Sequence, residues 1–203
     1  MGVEEEGLAK TCGLIDYGDY EPKEVDRLSQ LPEAVRFSLL KHVRSRIGDA
    51  AFSRLLFEGG QVVDKKRLYR DEPDAKDYEW TIPTYELHFM FVMTEHPVVR
   101  YCAEIELDEA GGVIKEIDLP RYSKSPEKLR IVPVAKALDV AATKGVPADK
   151  AFVDAGYAAE FDNLEWLVSY STPREPTGFT VTTLHLVAHD PDKYRWSQTD
   201  GDF

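Results

Sequence analysis

The chain is expected to fold as an α+β protein of two tandem units, each a helix laid on an antiparallel sheet, with the two sheets able to run on as one continuous sheet. Two observations predict this. A helix-like stretch opening at Leu31-Pro32 leads into alternating, strand-like runs that end in a hairpin at Asp108-Glu109-Ala110-Gly111-Gly112. The same plan then recurs, from a helical stretch at Val132-Pro133 to a turn at Asp190-Pro191-Asp192-Lys193. The boundaries this implies are an acidic arm over 1–30, a first unit over 31–120, a linker over 121–130 and a second unit over 131–203.

Each element has a local reason. The arm holds little periodic apolar pattern, but Leu14, Ile15, Tyr17 and Tyr20 are costly to leave in water and are expected to pack on the body. Residues 1–10, with Glu4, Glu5 and Glu6, are expected to be mobile. Pro32 suits a first helical turn, and Val35, Leu39, Leu40, Val43 and Ile47 follow at helical spacing. Gly48 is a natural stop, and Asp49 can cap a shorter helix carrying Ala51, Phe52 and Leu55. Gly59-Gly60 reads as punctuation between helix and strand, and Gln61 to Arg70 as one strand.

Tyr85, Leu87, Phe89, Phe91 and Met93 then alternate with a period of two, as do Val99, Tyr101, Ala103, Ile105 and Leu107. Gly111-Gly112 supplies a tight hairpin, with Val113 to Leu119 returning. In the second unit Val134, Ala137, Leu138 and Ala141 share a helix face that Gly145 ends. Pro147 to Asp154 suggests a short helix, with Ala151-Phe152 echoing Ala51-Phe52 and Leu164-Glu165-Trp166 partly echoing Tyr78-Glu79-Trp80. Strands follow at Leu164 to Thr172, Phe179 to His189 and Tyr194 to Trp196.

Composition narrows the function. A 203-residue chain that is 43% apolar and 31% charged can build packed cores. No apolar run is long enough to span a bilayer, and the acidic N-terminus has no secretory core, so a cytoplasmic setting is expected. The net charge of −12 argues against nucleic acid and anionic membrane, and it suits a basic protein partner. Oligomeric state is not legible. Cys12 and Cys102 stand in no metal or redox spacing, and in a reducing compartment a disulfide between them is the disfavoured alternative.

The strand ending Ile105-Glu106-Leu107-Asp108 before a glycine-containing turn and Val113, with Glu165-Trp166-Leu167-Val168-Ser169-Tyr170 in the second unit, resembles PepSY-type and cystatin-like modules. That resemblance implies a protein-binding or inhibitory role, and it implies no catalytic residues.

Alternation makes one surface specific. If Tyr85, Leu87 and Phe89 face the helix, then Glu86, His88 and Met90 face away from it. Cys102, Glu104 and Glu106 join them from the neighbouring strand, and Glu116 and Asp118 from the returning one. Glu86, His88, Glu104, Glu106, Glu116 and Asp118 are therefore the candidate partner-binding residues. His88 could also reach Cys102 or Glu104 across the sheet, but a catalytic thiol needs a base and an orienting group, and a structural cysteine is the simpler reading. His185 and His189 lie four apart in a strand, the wrong element for a shared metal. Asp16-Tyr17-Gly18-Asp19 and Asp200-Gly201-Asp202 read as turns rather than calcium loops. No nucleophile, phosphate-loop or dinucleotide motif occurs, so no cofactor and no metal is expected. The expected function is a non-catalytic binding module, of inhibitor or immunity type, acting on a basic partner. The alternative is a small-molecule protein or enzyme with a pocket between helix and sheet.

Overall fold

The computed structural model describes residues 12–78, 81–95, 98–174 and 177–201. Its elements are β1 (Lys23–Val25), α1 (Glu33–Phe52), β2 (Leu55–Val62), α2 (Lys65–Asp71), β3 (Tyr85–Glu95), β4 (Val98–Leu107), β5 (Val113–Lys115), α3 (Val134–Thr143), β6 (Phe152–Ala158), β7 (Asn163–Pro173), β8 (Phe179–Val187) and β9 (Tyr194–Gly201). The fold is α+β. The strands form two sheets, ordered β1-β2-β3-β4-β5 and β6-β7-β8-β9. The described residues divide into two compact units, 12–91 with Cys102–Asp118, and Val92–Tyr101 with 119–201.

In the first unit, Pro32 caps α1, and Val35, Leu39, Val43, Ile47 and Ala51 recur every fourth residue as a buried stripe. Gly48, at φ 76°, kinks the helix where a stop was expected, and one further turn carries it to Phe52. Leu55 then opens β2 rather than extending a helix. On β3, Tyr85, Leu87, Phe89 and Phe91 are buried on one face, and on β4 Ala103, Ile105 and Leu107 are fully buried. The arm is ordered where its aromatics lie. Tyr17 and Tyr20 pack edge-to-face on each other and cluster with Val63, Leu68, Ala75 and Ile82, while Leu14 stays exposed. The expectation for residues 1–10 lies outside the described residues.

Two expected elements are different here. Gln61 to Arg70 is not one strand. Asp64 accepts hydrogen bonds from the backbone N–H groups of Lys66 and Arg67, which caps α2 and ends β2 at Val62. Gly59-Gly60 lies inside β2, paired with His88 and Leu87 just after a bulge at Glu58, rather than between elements.

In the second unit, α3 presents Ala137 and Ala141 to β7. Leu164, Trp166 and Val168 of β7 and Leu184 and Leu186 of β8 form the buried face of this sheet, with Trp166 Nε1 donating to Val132 O at 3.1 Å. Pro147 to Asp154 is not a helix. Val153 and Ala155 alternate into the core, and β6 pairs in register with β7 from Phe152 to Ala158. The Ala51-Phe52 and Ala151-Phe152 echo thus falls on a helix end in one place and a strand start in the other. Glu79 and Trp80 of the second echo lie outside the described residues.

Candidate functional site

β3 and β4 set the first site. Alternation turns Glu86 and His88 to the face opposite Leu87, and Cys102, Glu104 and Glu106 come from β4. The arm crosses this face, so Glu86 and His88 are 2% exposed rather than open to a partner. A buried carboxylate must be hydrogen-bonded. Glu86 Oε1 accepts from Ile15 N at 3.0 Å, and its Oε2 accepts from Gln61 Nε2 at 2.6 Å. The same Gln61 amide donates to Ile15 O at 3.0 Å. Glu86 therefore clamps the arm to the sheet.

The two cysteines, expected to remain unpaired, are joined. Cys12 and Cys102 form a disulfide with Cα atoms 5.6 Å apart. The arm's path over β4 brings residue 12 beside residue 102, a contact across a sequence separation of 90 that no local spacing announces. Both sulfurs and a ring nitrogen of His88 lie within 4.8 Å of one another. His88 Nε2 is buried without a hydrogen bond, and Glu86 Oε1 stands 3.5 Å from it. Tyr17 is buried nearby. Burial, then the carboxylates of Glu86 and Glu106, push its phenol well above the ordinary range.

Glu104, Glu106 and Asp118 gather around one ammonium. Lys115 Nζ lies 3.2 Å from Glu104 Oε2, 3.6 Å from Glu106 Oε1 and 4.0 Å from Asp118 Oδ2. Burial raises the carboxyl of Glu106 most, Lys115 opposes that, and Glu86 adds to it. Burial works against the charge of Lys115, but Asp118, Glu104 and Glu106 outweigh it and hold the ammonium above its usual value. Glu116 stands elsewhere, bonded to His42 Nε2 at 3.0 Å and facing Arg46 at 3.4 Å on α1. Of the six candidate residues the structure thus gathers three around Lys115, buries two beneath the arm, and sends one to the helix.

A second constellation lies in the other unit. Glu165, His185 and Ser197 share one face of β7, β8 and β9. Ser197 Oγ is 2.7 Å from His185 Nε2, and His185 Nδ1 is 3.0 Å from Glu165 Oε2. Arg195 Nη2 also donates to Glu165 Oε2 at 2.8 Å. A depression of about 260 Å³ adjoins them, with Phe161 and Val187 on its wall. The sequence carried a period-two signal for each strand, but only the cross-strand register brings these three residues together. Comparison with protein-family models, curated proteins and solved structures gives no match for this chain.

Proposed function

We propose that the chain is a non-catalytic protein-binding module, of inhibitor or immunity type, that takes a basic partner on the patch formed by Glu104, Glu106 and Asp118. The carrying observation is the gathering of three carboxylates, Glu104, Glu106 and Asp118, around Lys115 on a half-buried surface. A partner's Lys or Arg would be drawn to that cluster, and the net charge of −12 would steer its approach. Glu86 serves this surface from below by fixing the arm, under which His88 is also buried. The PepSY-like and cystatin-like resemblance supports the same reading. So does the plan of the chain, since α1 and α3 are each followed by four strands in sequential order, as a tandem duplication would give. No helix among the described residues is long and apolar enough to cross a membrane. The disulfide suits an oxidising setting and the dithiol a reducing one, so a cytoplasmic setting is proposed for the reduced chain alone.

A fluorescent oligo-arginine peptide tests it. Replacing Glu104 and Asp118 by Gln and Asn should weaken binding about tenfold, or ~1.4 kcal/mol, and flatten its salt dependence. The same change in charge at exposed Glu58 and Asp74 should leave binding nearly unaltered. An equal loss in both pairs would reduce the effect to net charge and defeat the patch.

One observation favours the rival class, an enzyme or small-molecule protein. Ser197, His185 and Glu165 stand in the order of nucleophile, base and orienting carboxylate. One feature weighs against hydrolysis. Arg195 already neutralises Glu165. Labelling of Ser197 by a fluorophosphonate, abolished in His185→Ala, would favour the enzyme. Absence of labelling in the intact chain would favour the binding module.

A further inference from the structure

We propose that the reduced chain binds one Zn²⁺ ion through Cys12, Cys102 and His88, beneath the arm of the first unit. Two sulfurs and an imidazole nitrogen within 4.8 Å of one another are a donor set suited to a four-coordinate d¹⁰ ion, with one position left open. Cys102 and His88 are buried, and Cys12 is half-buried, so the site is shielded without being sealed.

Independent support comes from His88 itself. A 2% exposed imidazole whose Nε2 makes no hydrogen bond is costly, because burial removes water without a replacement. Gly59, the residue paired with His88 on β2, has no side chain with which to answer it. Glu86, anchored by Ile15 and Gln61, stands 3.5 Å from His88 Nε2, where its negative charge would favour a bound cation.

The disulfide and the metal site exclude each other. A dithiol reductant passes two electrons and two protons to the sulfurs of Cys12 and Cys102, which become thiols as the reductant closes its own disulfide. Zn²⁺ then replaces the two thiol protons, which leave to solvent, and the thiolates and His88 become its ligands. Both states hold the arm on β4. The first does so covalently and the second through the ion.

Cobalt reports the test. The full chain is reduced with dithiothreitol, desalted without oxygen, and titrated with Co²⁺. The reduced protein should develop a sulfur-to-cobalt charge-transfer band and the intense visible bands of a four-coordinate ion, saturating at one equivalent and bleached by Zn²⁺. The oxidised protein should show neither. Loss of a direct ligand should exceed the roughly 10–100-fold weakening typical of outer-shell partners, so Cys12→Ser and His88→Gln should lose most of the affinity. A reduced chain without these bands, or a His88→Gln protein matching it in spectrum and affinity, would overturn the site. If His88→Gln does not fold, alkylation of the reduced wild-type chain decides. Zn²⁺ should protect both Cys12 and Cys102 from iodoacetamide, and failure to protect either one counts against the proposal.

Discussion

Gln61 and Glu86 face each other across the β2–β3 pair, and the 2.6 Å bond between them is one half of a clamp whose other half is the backbone of Ile15. The carboxylate holds the arm from one side and the amide holds it from the other. The arm in turn decides which face of the sheet sees solvent.

Removing the carboxylate therefore strands two donors. Glu86→Ala should destabilise the chain by about 1.5–3 kcal/mol, the cost of deleting a charged hydrogen-bond partner from a buried site. Urea unfolding measures this. Glu86→Gln keeps one acceptor and should lose less. Equal midpoints for wild type and Glu86→Ala would show that the clamp contributes nothing.

Alternation alone placed Glu86, His88 and Cys102 on one face, because a strand's period of two is a property of the sequence. Their burial was not legible. It depends on the arm, whose attachment runs through a hydrogen bond from Ile15 to residue 86 and a disulfide from Cys12 to residue 102. Such contacts leave no local periodicity. Glu116 illustrates a different gap, since β4 shifts register against β5 between Glu106 and Leu107 and counting by twos fails past that point. Asp64 likewise ended a strand through a cap that hydrophobic pattern does not reveal. The Ser197, His185 and Glu165 grouping needed the pairing of three strands to be known.

The glycine pair in β2 makes a steric prediction. A Cβ on Gly60 would lie 2.3 Å from the carbonyl oxygen of Glu86, which is backbone and cannot swing aside. Gly60→Ala should cost on the order of 1–3 kcal/mol or more and loosen the β2–β3 pair. Gly13, with nothing within 4 Å of such an atom, is the control and should change stability by less than about 0.5 kcal/mol. Similar denaturation midpoints for the two variants would refute the close approach.

Trp166 separates packing from hydrogen bonding in the second unit. Trp166→Phe keeps an aromatic in the buried position and loses only the bond to Val132 O, so it should cost about 1 kcal/mol beyond the small volume change. Trp166→Ala should cost about 3–5 kcal/mol. Equal losses for Phe and Ala would mean the indole N–H, not the ring, carries the contribution.

Glu106 gives the chain a pH dependence whose sign follows from burial. Its folded carboxyl titrates above the ordinary value, so the folded state holds this proton more tightly than the unfolded one. The stability it contributes is fully present below the unfolded pKa and is lost as pH rises through the folded pKa. Glu106→Gln should remove that component. The melting temperature of the variant relative to wild type should therefore rise across the acidic range as pH increases. A difference that falls instead would mean that Lys115 outweighs burial.

The disulfide and the buried tyrosines hold the arm independently, and the two can be separated. Closing a loop between residues 90 positions apart is worth at most about 4–5 kcal/mol by chain entropy, so reduction in metal-free buffer should lower stability by up to that amount. The arm should nevertheless stay docked, because Tyr17 and Tyr20 remain in their cluster and Glu86 still holds Ile15. A truncation that removes the chain through Tyr20 loses all of these contacts together and leaves Glu86 without its backbone donor. It should unfold at a lower urea concentration than the reduced full-length chain. If the two unfold at the same midpoint, the disulfide is the arm's entire attachment, and the tyrosine cluster and the Glu86 clamp are passengers.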